Sequence, residues 1–477
     1  MEIRPVFLNG SQVVTEEYFD VHNPATGEVV ARMSQVGRKE TAQAIADAHA
    51  ALPQWRGITA LERASMLRAV ADRMEARGDD IAEIITMENG KPLAQSAGEV
   101  GMAVDHFRWF AEESRRAYGR MVPHQAPGKR HMVIRVPVGV VGAITPWNFP
   151  LVLAARKAAP ALAAGCPVIL RPASQTPLCA VALAECVAEA GLPAGVFQLI
   201  AGPARPIATE LLENSACRKI SFTGSTEVGK ELIRGSAKTV TNLSLELGGH
   251  APVVVFPDAD LDRAVEGAII TKFRNTGQSC IAANRLLVHE SIYREFADRF
   301  CEAARSLVVG DGRTPGVDIG PLVNEEAFTV AKRHIDSALA DGAELLCGGR
   351  RTEQSGGFFL EPTVLGRVPD DAVCMREETF APIAPISTFE TEEEAVAKAN
   401  DTEYGLAAYA FTSDVNRAFR LAELLEAGTV GINDAVPSTS QAPFGGMKQS
   451  GIGRELGAEG LDAFLETKHV SFGGVTG

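Results

Sequence analysis

Alternation of apolar and polar positions dominates the start of the chain. Residues 7–30 read as short extended runs broken by Asn9-Gly10 and by the turn signal NPATGE, which predicts an N-terminal hairpin. A helical repeat then takes over and predicts helices across 39–52, 61–77, 79–89 and 95–118, the third ending at Gly90 before Lys91-Pro92. The stretch HMVIRVPVGVVGAITPW alternates first and is then continuously apolar, so an edge or interface strand leads into a buried parallel one. From there strands alternate with helices: CPVILRPAS precedes a helix at 178–190, VFQLIAG one at 207–214, and CRKISFTGSTEVGKELI repeats strand, glycine turn and helix. A second alternation begins at LSLELGGHAPVVVF and continues through a helix at 261–273, the strand ANRLLVHE, and helices at 292–308 and near 331–341. The tail LDAFLETKHVSF ends in a strand pattern suited to pairing with another subunit. The whole predicts an α/β fold with doubly wound parallel sheets, whose ligand crevice lies past the carboxyl ends of the strands.

Length turns this into two or three domains, since 477 residues exceed one simple core. The net charge of -14 is spread along the chain without a basic stripe, which argues against nucleic acid as a partner. Eight cysteines without a CxxC pair favour a reducing compartment and free thiols. Nine scattered histidines and no HExxH give no metal site. The opening MEIRPVFLNG lacks a signal-peptide pattern and no apolar run approaches bilayer length, so a cytoplasmic protein without a membrane partner is expected.

The segment KFRNTGQSC, residues 272–280, delivers one cysteine from a polar, glycine-broken stretch. Free cysteines are usually buried and inert, but Asn275, Thr276, Gly277, Gln278 and Ser279 make a poor core and a good active-site turn, so Cys280 is a candidate nucleophile. Asn148, in the turn TPWNFP, can aim its side-chain amide at an oxyanion, or serve only as a turn former. Glu246, in LSLELGG, follows apolar residues, and burial would raise it toward a useful general base; the alternative is a partner for a lysine or a backbone amide. Together the three supply the nucleophile, oxyanion donor and base that oxidation of an aldehyde to an acid requires. The turn GSTEVG, residues 224–229, follows the strand KISF and opens a helix where a pyrophosphate could rest, although it is not the GxGxxG fingerprint.

Taken together, TPWNFP, FTGSTEVG, LELGG, GQSC, EETF and PFGG resemble the aldehyde dehydrogenase superfamily in order and spacing over almost the whole chain. ARKAAPALAAGCPVI, RPASQTP, KFRNTGQSC, NDTEYGLAAY and APFGGMKQSG bring it nearest to the succinate-semialdehyde dehydrogenases. The resemblance implies a dinucleotide-binding domain of residues 1–117 and 137–247, a catalytic domain of 248–448, and a small β oligomerisation unit of 118–136 and 462–477, assembled as a homodimer or homotetramer. It assigns Cys280, Glu246 and Asn148 the roles above. It places the cofactor against Thr145, Pro146, Trp147, Arg171, Ala173, Ser174, Gly224, Ser225, Gly229, Leu247, Glu378 and Phe380. Arg156 and Arg274, with Ser450 as a hydrogen-bond donor, match positions that hold the distal carboxylate of a small anionic aldehyde.

Departures from the family pattern carry information. Arg171 stands where a lysine is usual and Ser174 where strictly NAD-using relatives often carry glutamate, which favours NADP over NAD. His250 replaces an asparagine and Ala381 a glycine, both read as packing changes. Ala282 stands where some relatives have a second cysteine, so no regulatory disulfide is expected there. Glu246 argues for hydrolysis of a thioester rather than its transfer to CoA. The expected reaction is oxidation of succinate semialdehyde to succinate. Glutarate semialdehyde, 2-oxoglutarate semialdehyde and sulfo- or phosphono-aldehydes are alternatives, as is a non-enzymatic protein that kept the fold.

Overall fold

Two largely parallel sheets organise the chain, and the segment joining them passes through the glycine pair after Glu246. The structure is a computed structural model and describes residues 2–352 and 356–475; the remaining residues of the expected units, 1, 353–355, 476 and 477, lie outside the described residues. In the first sheet five mutually parallel strands, Asn242–Glu246, Cys217–Thr223, Val140–Ile144, Val168–Arg171 and Phe197–Leu199, lie side by side in that order. The hairpin Val6–Leu8 with Ser11–Val13 extends one edge, and Gly451–Ile452 pairs antiparallel with Leu245 and Glu246 at the other. The continuously apolar strands Val140–Ile144 and Val168–Arg171 are buried along their whole length, as strands covered by helices on both faces must be.

The second sheet has seven strands, of which six are parallel and the edge strand Glu344–Cys347 is antiparallel. A separate three-stranded sheet joins Arg120–Val122, Arg130–Pro137 and Leu465–Phe472, the last in register with Arg130–Pro137 from Leu465 opposite Pro137 to Phe472 opposite Arg130. The run HMVIRVPVGVVGAITPW therefore serves two sheets, and so does LSLELGGHAPVVVF: Asn242–Glu246 belongs to the first sheet and Ala251–Val255 to the second.

Helix boundaries shift where packing overrides local signals. The first long helix, Arg38–Gly57, continues through Pro53 because Trp55 is fully buried beyond it. Leu93–Glu113 stops short of the predicted end and closes in a short 3₁₀ turn, Ser114–Arg116. Glu325–Ala340 begins earlier than its apolar pattern suggests, because Asn324 Oδ1 accepts from Ala327 N at 2.9 Å and caps it.

Two buried glutamates of the helical block explain how it docks on the first sheet. Glu99 Oε1 accepts from Leu151 N (2.9 Å) and Val152 N (3.1 Å) at the start of Pro150–Ala164. Glu88 accepts from Leu178 N (2.6 Å) and Cys179 N (2.9 Å) at the start of Leu178–Glu189, and burial pushes its carboxyl up to about 7. These contacts fix the two helices that flank TPWNFP and RPASQTP, the segments nearest the candidate site.

Candidate functional site

Cys280 follows a left-handed run. Asn275, Thr276 and Gly277 have φ of 51°, 60° and 72°, a conformation easy for glycine and strained for a β-branched threonine. Neighbouring segments hold it. Thr276 Oγ1 donates to Gly320 O (3.2 Å), Asn275 N to Gln95 Oε1 (2.8 Å), Gln278 Nε2 to Pro321 O (3.3 Å), and Gln278 Oε1 accepts from Val323 N (2.9 Å). All eight cysteines are free; seven are buried and Cys280 is half-buried. Burial, and then the carboxylates of Glu246 and Glu378, push its thiol well above the usual range, while Arg156 pulls it down.

Asn148 is positioned through its carbonyl, which accepts from Lys91 Nζ (2.7 Å) and Asn275 Nδ2 (2.8 Å), while Asn89 Nδ2 donates to the preceding Trp147 O (2.9 Å). Its side-chain Nδ2 donates one hydrogen to Gln278 O at 3.2 Å, two residues before Cys280. An amide nitrogen carries two hydrogens, so a second donor remains.

Glu246 ends the strand Asn242–Glu246. Its Oε2 accepts from Thr223 Oγ1 (3.2 Å), whereas its Oε1 is buried without a hydrogen-bond partner, 3.9 Å from Arg156 Nη1. Burial first and the nearby Glu455 second push this carboxyl up to about 7, against the pull of Arg156 and Lys157. Lys157 Nζ holds Glu455 Oε1 at 2.5 Å. Three residues further along, a Cβ on Gly249 would lie 2.1 Å from Cys280 O, so only glycine lets the segment that carries Glu246 pass this close to Cys280.

A cavity of about 230 Å³ opens over Cys280, lined by Pro146, Trp147, Asn148, Gly224, Ser225, Leu247, Glu378 and Phe380 among others. Glu378 Oε1 accepts from Gly249 N (3.1 Å), and burial pushes its carboxyl up to about 8. Phe380, at φ 41°, meets Trp147 edge-on at 5.6 Å between ring centroids. Ser225 Oγ caps Thr226–Ser236 through Val228 N (3.4 Å), and a Cβ on Gly229 would press on Leu247 at 2.5 Å. The capped helix start, the small glycine turn and the adjoining cavity fit a dinucleotide. Arg171, Ala173, Ser174 and Thr145 lie outside this cavity: Thr145 N donates to Arg171 O (3.1 Å), and Arg171 Nη2 donates to Gly202 O (2.9 Å) and lies 3.5 Å from Ser174 Oγ.

The three expected carboxylate-binding residues separate. Arg274 forms no ion pair among the described residues; its guanidinium lies over Phe149 at 5.4 Å, with Nη2 3.8 Å from Met102 Sδ. Arg156 is buried over Phe444 (4.6 Å), between Glu246 and Glu455. Ser450 does not offer its hydroxyl to a substrate here. It is fully buried, donates to Gly248 O (2.7 Å) and accepts from Gly405 N (2.9 Å), because the turn crossing between the sheets needs both bonds.

His250 is a packed residue: its Nε2 donates to Cys374 O (3.2 Å), and its own carbonyl accepts from Arg285 Nη2 (3.0 Å). Ala381 packs against the nucleophile turn, where a Cβ on Gly277 would stand 2.3 Å from Ala381 O. Sequence reasoning missed Lys91, Glu99, Lys157 and Glu455, which gather around Asn148 and Glu246. The available signal was a charged residue in an apolar helix: Lys157 and Arg156 are buried within Pro150–Ala164. Among the described residues no group of His, Cys, Asp or Glu could hold a metal ion, and no helix is long and apolar enough to cross a membrane.

The model of the family described as "Aldehyde dehydrogenase family" matches residues 11–470. An NADP(+) succinate-semialdehyde dehydrogenase of Escherichia coli K12 is 50% identical over 457 residues, covering 96% of this chain and 95% of its own. A glutarate-semialdehyde dehydrogenase of Pseudomonas aeruginosa is 48% identical over 455 residues, covering 95% and 94%. Among solved structures, an NADP-dependent enzyme of E. coli superposes with a TM-score of 0.97 at 48% identity, covering 98% of each chain.

Proposed function

This chain belongs to the aldehyde dehydrogenase family, and from that premise we propose that it oxidises a short aldehyde with a distal anionic group, succinate semialdehyde first among them, to the acid. The observation that carries the reading is Arg274, a guanidinium six residues before Cys280 that forms no ion pair among the described residues. A partly desolvated cation with no counter-ion of its own favours a substrate that brings one.

Cys280 Sγ loses its proton to solvent through the open cavity and attacks the aldehyde carbon. The oxygen gains negative charge and meets two donors, the second hydrogen on Asn148 Nδ2 and the backbone N–H of Cys280. A nicotinamide dinucleotide, when bound, would supply the hydride acceptor; Trp147, Gly224, Ser225, Leu247, Glu378 and Phe380 would hold it, and Arg171, with Ser174 rather than an acid beside it, would favour NADP. Glu246 serves the resulting Cys280 thioester by taking a proton from water through its unpartnered Oε1. The water oxygen adds to the acyl carbon, the C–S bond breaks, and the acid departs.

In this reading the first sheet is the dinucleotide-binding domain and the second the catalytic domain. The free edges of the three-stranded sheet pair subunits into a dimer or tetramer in the cytoplasm. Glutarate semialdehyde, 2-oxoglutarate semialdehyde and sulfo- or phosphono-aldehydes fall in the same class, because one arginine fixes the charge of the substrate and not its length. Arg274→Ala is the test. The KM for succinate semialdehyde should rise about 100-fold while propanal changes little; equal losses on both defeat the anionic reading.

A further inference from the structure

The helix Leu93–Glu113 carries one more buried polar group, within electrostatic reach of Arg156 and one turn from the contact with Arg274. One turn after Met102, which touches Arg274, comes His106, only 3% exposed. Its Nδ1 lies 2.8 Å from Ser440 Oγ, and Ser440 Oγ in turn donates to Asp105 Oδ2. A carboxylate only accepts, and a hydroxyl has one proton to give. With that proton committed to Asp105, Ser440 meets the ring as an acceptor, so Nδ1 carries the imidazole hydrogen. Nε2 is left as a bare acceptor, buried and without a partner. Burial and the charge of Arg156 hold the ring well below the usual imidazole range, in keeping with a neutral ring.

His106 has company. Arg156 Nε is also buried without a hydrogen-bond partner; the carboxyls beside it, Glu246 at 3.9 Å from Nη1 and Glu455 at 4.0 Å from Nε, are too far for direct hydrogen bonds and face each other instead. Unsatisfied polar atoms at such spacing are served by water or by polar groups of a substrate. Ser440 lies on the same loop as Phe444, on which the Arg156 guanidinium rests, so one loop places both the acceptor and the neighbouring cation.

We propose that His106 is a specificity-determining residue whose Nε2 accepts a hydrogen bond from a hydroxyl on the substrate, between its aldehyde carbon and its anionic group. The preferred class is then a hydroxylated anionic aldehyde. Ser440 and Asp105 are positioning residues that fix which ring nitrogen is the acceptor. The inference rests on the anionic-aldehyde reading above and narrows it.

The test is a two-by-two panel of kcat/KM values at saturating NADP: 3-sulfolactaldehyde, 3-sulfopropanal, lactaldehyde and propanal. The wild-type chain should favour the hydroxylated sulfonate over its deoxy partner about tenfold, the scale of one hydrogen bond made to an otherwise unsatisfied buried acceptor. His106→Phe should bring that ratio close to one. His106→Gln should keep most of it, since an amide oxygen can accept in place of Nε2, and Ser440→Ala should lower it partway by releasing the tautomer. If His106→Phe does not fold, the wild-type ratio and the other two variants still decide. A wild-type ratio near one overturns the proposal, and so does a ratio that His106→Phe leaves unchanged, which assigns Nε2 to a structural water. A charge preference without a hydroxyl preference removes the acceptor alone; a hydroxyl preference without a charge preference removes the anionic reading alone.

Discussion

Two buried charged clusters flank the helix Pro150–Ala164, and they are built in opposite ways. Lys91 and Glu99, both fully buried, meet at 2.6 Å; Lys91 Nζ also donates to Asn148 O, and the other Glu99 oxygen accepts two helix-start amides. In the second cluster Lys157 and Glu455 meet closely, and Glu455 also faces the Glu246 carboxyl, a pairing of like groups. Arg156 stands 3.9 Å from Glu246 and 4.0 Å from Glu455, and each of those three side chains keeps a buried polar atom without a partner. A charge network in low dielectric is rigid when every member is satisfied and costly when it is not. The first cluster is therefore frame: it holds Asn148, the proposed oxyanion donor, by its carbonyl. The second is held incomplete, and in the proposed reaction its open positions are where water and substrate enter.

The sharpest way to break this contrast is Glu246→Gln. In the open cluster it should cut steady-state turnover about 10²- to 10⁴-fold while leaving the first turnover, so rapid mixing shows a burst of reduced cofactor near one equivalent per site. Unchanged steady-state turnover takes Glu246 out of the mechanism. Lys91→Met probes the frame instead. It strands the Glu99 carboxylate in the interior and should lower stability by about 3–5 kcal/mol, seen as a fall in the urea midpoint. A variant as stable as the wild type shows that the satisfied cluster is not frame.

The finest test is electrostatic. Glu246 works as a base only when ionised, and its carboxyl is pushed up to about 7, so thioester hydrolysis should fall as pH drops through that value. Glu455→Gln removes the negative charge that helps hold Glu246 protonated. The acid limb should then move to lower pH, by on the order of one unit. An unmoved limb in single-turnover hydrolysis dissolves the link between the two carboxylates.

What the chain disclosed in advance follows the same divide. Cys280, Asn148 and Glu246 stood out as candidates because each sits in a polar or glycine-marked break in an apolar pattern, and the parallel sheets were legible from strands alternating with helices. Lys91, Glu99, Lys157 and Glu455 were not, because their meaning lies in partners 8 to 298 residues away. Ser450 was misread for a related reason: its hydroxyl is claimed by two backbone groups that only the crossing between the sheets brings near. The helix Val415–Leu424 was not singled out, since Val415, Phe419 and Leu424 are exposed and blur the apolar stripe.

The left-handed run before Cys280 bears on anyone wishing to graft this chemistry onto another scaffold. Copying KFRNTGQSC would transfer the thiol and lose its aim, because a threonine at φ 60° stays there only while Gly320, Pro321 and Val323 grip the turn on one side and Asn148 and Gln95 on the other. The smallest portable unit is four segments distant in sequence, carried together with their spacing.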